Sequence, residues 1–143
     1  MRIVLVLLMS ISVSIPAWAQ DCTEQPASVR QPDNWVAGKH YRNSFTDEEI
    51  ASTPIWDDTQ STPPVTPRAA VVAARSCLQR LNLPIKKWDV SRIELQPAGD
   101  DGHWLYQVLF MEHLDGSKPS LRTGFEVTVL MNGVAVVPTL CDR

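Results

Sequence analysis

One helical segment followed by four extended segments is the feature of this sequence that most constrains its fold. Thr66-Pro67 begins the helix, because threonine caps free amides and proline in the first turn loses no hydrogen bond. Asn82 and Pro84 end it. The apolar residues between them recur at helical spacing and share one face: Ala70, Ala74, Cys77, Leu78 and Leu81.

The four extended segments comprise residues 89–96, 104–112, 121–130 and 134–137, joined by short turns. Apolar residues on both faces of the second segment predict a central strand. Asn132-Gly133 predicts a type I′ hairpin with both residues at positive φ, and Pro138 ends the last strand, at a sheet edge. The sequence therefore predicts an α+β domain over residues 66–143, with one main helix packed on a curled four-stranded antiparallel meander.

Residues 20–65 are rich in Pro, Ser, Thr, Asp and Asn, and their apolar residues appear singly. This composition predicts an irregular, proline-rich N-terminal arm whose aromatic side chains anchor it on the core. Thr46 followed three residues later by Glu49 predicts a capped helix of one or two turns within the arm.

Residues 1–19 are typical of a secretory signal peptide. Arg2 gives the positive start, residues 3–15 are almost wholly apolar, and Ala17-Trp18-Ala19 forms a cleavage site before Gln20. The apolar run is too short to span a membrane. We therefore expect cleavage between Ala19 and Gln20, a periplasmic or secreted location and no membrane insertion. A net charge of −3 argues against nucleic acid as a partner.

The chain has three cysteines, and an oxidising compartment favours one disulfide among them. Cys77 lies in the later half of the predicted helix, and Cys141 follows the last predicted strand. In a meander that strand ends near the C-terminal end of the helix, which predicts a Cys77–Cys141 bond. Cys22 is the alternative partner of either residue. The cysteine spacings lack the short pairs of a zinc site, so no metal is assigned.

No motif in the sequence requires a particular reaction, and we assign no catalytic residue and no cofactor. His103 and His113 bracket the second strand and are too far apart to share an ion along it, while His40 is interpreted as a surface histidine. The acidic pairs Asp57-Asp58 and Asp100-Asp101 lie beside turn formers and are interpreted as solvated turns.

Four tryptophans are candidates for a surface or groove that binds a ligand: Trp35, Trp56, Trp88 and Trp104. The interpretation favoured by the sequence is that they anchor the core and the arm.

Three segments resemble the cystatin-like and PepSY-type modules of exported bacterial proteins: the alanine-rich helix at 69–74 and the strands at 90–95 and 104–108. The stretch from Phe45-Thr46 through Thr53-Pro54-Ile55-Trp56 to Pro63-Pro64 at the helix entry also resembles small uncharacterised secreted bacterial proteins. The PepSY resemblance implies a role in restraining peptidases or in binding within the cell envelope. We expect a non-enzymatic module that binds a protein or peptide partner through the sheet or its exposed edge. The alternative is a small hydrolase or ligand-binding protein that uses the concave sheet face.

Overall fold

The computed structural model describes residues 33–57, 59–83, 88–99, 101–112 and 124–141. The predicted signal peptide and its cleavage site lie outside these ranges. The elements of the described chain, in order, are β1 (Asp33–Val36), β2 (Lys39–Arg42), α1 (Asp47–Ala51), α2 (Pro67–Arg80), β3 (Trp88–Pro97), β4 (Trp104–Glu112), β5 (Gly124–Leu130) and β6 (Thr139–Cys141).

The described strands form two three-stranded antiparallel sheets, so the predicted four-stranded meander is wrong. One sheet has the order β3-β4-β5 and the other the order β1-β2-β6. Strand β4 is central in its sheet, as the sequence predicts. The chain remains α+β, with α2 as its main helix.

Helix α2 begins and ends where the sequence predicts. The Thr66 hydroxyl accepts a hydrogen bond from Ala69 N at 3.2 Å. At the other end, Asn82 has a φ of 53° and its N–H donates to Gln79 O, while Leu83 N donates to Leu78 O. These two bonds form a Schellman motif, which satisfies carbonyl groups that the last turn leaves free. The helix buries Ala70, Ala74, Cys77 and Leu78 against one face of the β3-β4-β5 sheet.

A β-bulge at Ser91 changes the phase of β3. Register partners shift between Val90 and Arg92, which leaves Ser91 as an extra residue. Before the bulge Trp88 and Val90 pack on the face that α2 covers, and after it Leu95 does so. The bulge therefore lets one strand keep its apolar residues on a single face although their spacing changes.

The loop after β5 is not the predicted type I′ turn. Gly133 N donates to Leu130 O and Leu130 N donates to Val134 O, each at 2.9 Å, and Gly133 has a φ of 83°. Asn132 does not have a positive φ. This is a three-residue loop in which a turn is followed by a left-handed glycine. The pair with positive φ at both positions is instead Ala37-Gly38, at 50° and 75°, between β1 and β2.

Pro138 explains why the predicted fourth strand does not continue along β5. Val129 pairs with Ala135, and Val136 N donates to Thr128 O at 2.9 Å. Extending this register would place Pro138 opposite Glu126, where a backbone N–H is needed and proline has none. The chain leaves β5 there and pairs with β2 as β6.

Residues 33–51 of the predicted arm are structured, so an irregular arm is the wrong description of them. Strands β1 and β2 form a hairpin that pairs with β6. The predicted capped helix is confirmed as α1, where Thr46 and Glu49 form a capping box. Phe45 and Ile50 pack with Ala98 and other residues of a second apolar cluster. The arm thereby covers the sheet face opposite α2.

Candidate functional site

The two long edges of the β3-β4-β5 sheet differ in how their backbone groups are bonded. On β5, Glu126 N donates to Asn34 Oδ1 at 2.8 Å, and Glu126 O accepts from Asn34 Nδ2 at 2.9 Å. Asn43 Nδ2 donates to the same carbonyl at 3.0 Å. Residues 134–136 bond the next part of this edge. Side chains of the arm and the chain after β5 therefore close the β5 edge.

These bonds fix the direction of backbone groups across the whole sheet. Residues of an antiparallel strand alternate between bonding the neighbour on one side and facing the other side. Because the backbone of Glu126 faces away from β4, its register partner Leu109 directs its own groups toward Arg92 on β3. Arg92 and Glu94 are thus bonded within the sheet.

It follows that Ile93 and Leu95 direct their N–H and C=O groups outward from β3. The hydrogen bond from Ala98 N to His103 O, at 2.8 Å, has the phase that this alternation requires. No strand within the described ranges pairs with this side of β3. Within the described ranges, the outer edge of β3, defined here as residues 91–95, is therefore unpaired, and we name it the open edge of the sheet.

The side chains of the open edge are apolar on one face and charged on the other. Ile93 is 40 % exposed, although its register partner Val108 is fully buried beneath α2. Arg92 and Glu94 lie on the opposite face, and Arg92 Nε is 3.4 Å from Glu94 Oε2. Both charged side chains are about half exposed. An extended segment laid along this edge would meet an apolar residue flanked by two opposite charges.

A buried carboxylate continues the charged row behind the open edge. Arg92 Nη2 lies 3.7 Å from Glu126 Oε2, while Glu126 Oε1 is buried without a hydrogen-bond partner. Burial raises the pKa of Glu126 above its ordinary value; Arg92 opposes this shift and Glu94 adds to it. Asn43 Oδ1 is also buried without a partner. The Glu126 backbone is therefore bonded at the closed β5 edge, while its side chain lies close to Arg92 of the open edge.

The four candidate tryptophans lie in three separate places and line no common groove. Trp88 is 2 % exposed and packs on Phe125 in the core. Trp56 and Trp104 form an edge-to-face pair with ring centroids 5.3 Å apart, and Trp104 Nε1 donates to Trp56 O at 3.0 Å. Trp35 stacks on His40 at 4.4 Å on the outer face of the small sheet.

The histidines that the structure describes contact different residues. His103 is buried, and its Nδ1 lies 3.1 Å from the Thr53 hydroxyl, which donates to Ile50 O. His40 Nε2 lies 3.2 Å from Asp33 Oδ2 in the other sheet. His113 lies outside the described residues. Within the described ranges no three His, Cys, Asp or Glu side chains come close enough together to hold a metal ion.

The acidic pairs are described only in part. Asp57 is exposed, and its Oδ1 accepts from Thr59 N at 2.9 Å, which confirms a turn at this residue. Asp101 is exposed in the hairpin between β3 and β4. Asp58 and Asp100 lie outside the described residues.

The predicted Cys77–Cys141 disulfide is wrong. Cys77 is a free thiol on the buried face of α2, with its Sγ 3.6 Å from Val136 O. Burial raises the pKa of this thiol, although Arg80 acts against the shift. Cys141 is disulfide-bonded, and the alternative partner Cys22 lies outside the described residues. The prediction failed because it placed Cys141 beyond a fourth meander strand, whereas β6 belongs to the small sheet.

A shallow groove lies between α2 and the loop after β5. Ala73, Ser76 and Arg80 line one wall, and Gly133 and Val134 line the other. The described residues that line the groove include neither a carboxylate nor a histidine. In the described part of the chain, no helix is both long and apolar enough to cross a membrane.

No family model, curated protein or solved structure matches this chain. The resemblance to cystatin-like and PepSY-type modules therefore stays a prediction, and the four-stranded sheet expected with it is wrong. The residues of the open edge were not singled out from the sequence. The signal that could have found them is the change of phase from Trp88 and Val90 to Ile93 and Leu95, which marks a bulge and fixes which charges share a face.

Proposed function

We propose that this chain is a non-enzymatic binding module of the cell envelope that takes an extended segment of a protein partner onto the open edge of β3. The single observation that carries the proposal is the direction of the Ile93 and Leu95 backbone groups, which face outward where no described strand pairs with them. Strand addition to a free sheet edge supplies affinity through main-chain hydrogen bonds and specificity through alternate side chains.

The side chains of the edge define the chemistry of that segment. Ile93 favours an apolar residue of the partner on the sheet face that α2 covers, because 40 % of the Ile93 surface would otherwise remain in water. On the other face, Arg92 calls for an acidic residue and Glu94 for a basic residue, two positions apart. The partner segment is therefore an acidic-apolar-basic triplet in extended conformation.

The alternative of a hydrolase or ligand-binding protein on the sheet face gains no support from the described residues. Most residues of β4 and β5 are buried and none is exposed, because α2 covers one face of the sheet and the arm packs on the other. A filled face with an open edge favours capture of a strand over capture of a small molecule.

The experiment is affinity capture from cell-envelope extract with three versions of the full chain. The first is the native chain, the second carries Ile93→Lys at the open edge, and the third carries Val72→Lys. Val72 is a matched control, since it is another exposed aliphatic residue, 60 % exposed on α2. We expect one captured protein with the native chain and Val72→Lys, and its loss with Ile93→Lys, because a lysine at the edge blocks strand pairing.

Amide hydrogen exchange of the complex gives the readout specific to strand addition. The Ile93 and Leu95 amides are expected to exchange about tenfold more slowly, or slower still, once a partner strand accepts their hydrogen bonds. Capture that survives Ile93→Lys, or a complex in which these two amides exchange as fast as in the free chain, would refute the proposed function.

A further inference from the structure

The geometry points to a specific occupant of the open edge, which is β3 of a second copy of this chain. This inference rests on the proposed function, since it identifies the extended segment that the edge accepts. Two copies would pair antiparallel about a two-fold axis at Ile93, and the result would be one continuous six-stranded sheet. The observation behind it is that the open edge is complementary to itself in register, hydrogen bonding and charge.

The two-fold axis must pass through Ile93 for the charges to match. If Ile93 lies opposite Ile93 of the second copy, antiparallel pairing places Arg92 opposite Glu94 of the second copy, and Glu94 opposite its Arg92. If the axis passed through Glu94 instead, two carboxylates would lie directly opposite each other. Only one of these two registers is electrostatically favourable.

Hydrogen bonding is compatible with the same register, while the charges select it. Ile93 directs its N–H and C=O outward, so the two copies of Ile93 can exchange both bonds and form a hydrogen-bonded pair. The flanking Arg92–Glu94 pairs are then non-hydrogen-bonded pairs, in which opposite side chains approach most closely. The register that matches the charges therefore also brings those charges nearest to each other.

Burial and solvent exposure agree with this arrangement. The two Ile93 side chains would cover each other on the face of α2, where each is now 40 % exposed. Arg92 and Glu94 are 57 % and 43 % exposed, so both remain available to a second copy. Glu126 Oε2 lies 3.7 Å from Arg92 Nη2, and this ion pair limits the conformational freedom of Arg92 before the copies pair.

The decisive test is to mix two charge-reversed variants of the full chain. Arg92→Glu leaves two acidic residues on the edge, and Glu94→Arg leaves two basic ones. Each variant alone would place like charges opposite each other in both pairs of the dimer. The mixture would place Glu opposite Arg in both pairs. We measure association by analytical ultracentrifugation over a range of concentrations, with thermal unfolding of each variant as the check on folding.

For the native chain we expect reversible dimers. Each single variant is expected to weaken self-association by about tenfold, from two reversed cross-strand pairs. The equimolar mixture is expected to regain dimers at close to the native affinity. A structural role for Arg92 or Glu94 within one copy would not produce this rescue between copies. A native chain that stays monomeric, or a mixture that associates no better than its components, would overturn the inference.

A cysteine at the two-fold axis supplies a second measurement. Opposed residues of a hydrogen-bonded pair have Cα atoms about 5.5 Å apart, within the roughly 4.4 to 6.8 Å that a disulfide spans. Ile93→Cys is therefore expected to form covalent dimers on mild oxidation, while Val72→Cys is not. Equal cross-linking of both variants would contradict the two-fold register.

Failure of this inference is separable from failure of the proposed function. If the native chain is monomeric while Ile93→Lys still abolishes capture of an envelope protein, the open edge accepts a foreign strand and the second copy is not its occupant. If the native chain dimerises but Ile93→Lys leaves the dimer intact, the copies meet elsewhere and the inference is wrong.

Discussion

The β5 and β3 edges of one sheet present the same kinds of backbone group, but they differ in whether described residues bond those groups. Along β5, the Asn34 amide bonds both backbone groups of Glu126, and residues 134 and 136 bond Leu130 and Thr128. Along β3, Ile93 and Leu95 direct equivalent groups to the outside of the sheet, where no described strand pairs with them. Closure of β5 thus depends on a side chain supplied from 92 residues away in sequence.

The contrast shows how this fold restricts where a partner strand can bind. An unpaired edge is a template for any extended chain, and proteins generally cover or charge such edges. Here one edge is covered, and the other carries a bulge at Ser91 and an Arg92–Glu94 pair. A bulge and two charges limit non-specific pairing while they leave a short stretch that a complementary segment can use.

The largest expected effect comes from opening the closed edge. Asn34→Ala removes the acceptor of the buried Glu126 N–H and one of the two donors to Glu126 O. A buried donor left without a partner costs about 1 to 3 kcal/mol, and a lost bond adds about 1 more. We expect the free energy of unfolding to fall by about 2 to 4 kcal/mol in urea titrations.

Asn43→Ala is the matched control for Asn34→Ala. It removes the second donor to Glu126 O, but Asn34 still bonds that carbonyl. The expected loss is therefore only about 1 kcal/mol or less. Equal losses from the two substitutions would mean that Asn34 does not close the edge in the way described.

A smaller effect is expected from the pH dependence of Glu126, which connects the two edges. Because its pKa is raised in the folded protein, chiefly by burial, the folded state holds this proton more tightly than the unfolded chain. The stabilisation is fully present below the ordinary glutamate pKa and is lost as the pH rises through the raised pKa. Glu126→Gln removes this contribution, so the stability of the native chain relative to the variant should decline as the pH rises through that window.

Arg92→Gln tests the cause of the same shift. Arg92 holds the pKa of Glu126 down, against burial and Glu94, so its removal should move the decline in stability to higher pH. Urea unfolding at a series of pH values measures both variants. A native chain and a Glu126→Gln variant with parallel stability profiles would contradict the raised pKa.

Local signals in the sequence predicted the helix ends well, although the turn predicted at Asn132-Gly133 is wrong. Thr66, Pro67 and Asn82 were enough to predict both ends of α2, because caps depend on neighbours within one turn. The same holds for the capping box of α1. Apolar residues on both faces of residues 104–112 correctly predicted a central strand.

The sheet topology and the open edge could not be predicted in the same way, because they depend on distant residues. Pairing along β5 stops where Pro138 lacks the N–H that Glu126 needs, and the side chains of Asn34 and Asn43 bond Glu126 instead. Each of these residues can be read from the sequence, but the contacts between them cannot. The predicted strand at 134–137 is only an isolated bridge at Ala135, and the residues that follow Pro138 pair with β2 in the arm.

The smallest expected effect concerns the loop that starts closure of the β5 edge, where two substitutions distinguish the observed turn from the predicted one. In a type I′ turn both Asn132 and Gly133 have positive φ, so Asn132→Gly would be neutral or stabilising. In the observed loop only Gly133 is left-handed, and Asn132 Oδ1 accepts from Val134 N at 3.0 Å. Asn132→Gly should then destabilise by about 0.5 to 1 kcal/mol, through the lost bond and the added freedom of glycine in the unfolded chain.

Gly133→Ala should cost about 1 kcal/mol, because alanine is strained at a φ of 83° although no atom lies near its added Cβ. Thermal unfolding of both variants decides the matter, and a stabilised Asn132→Gly would restore the type I′ turn.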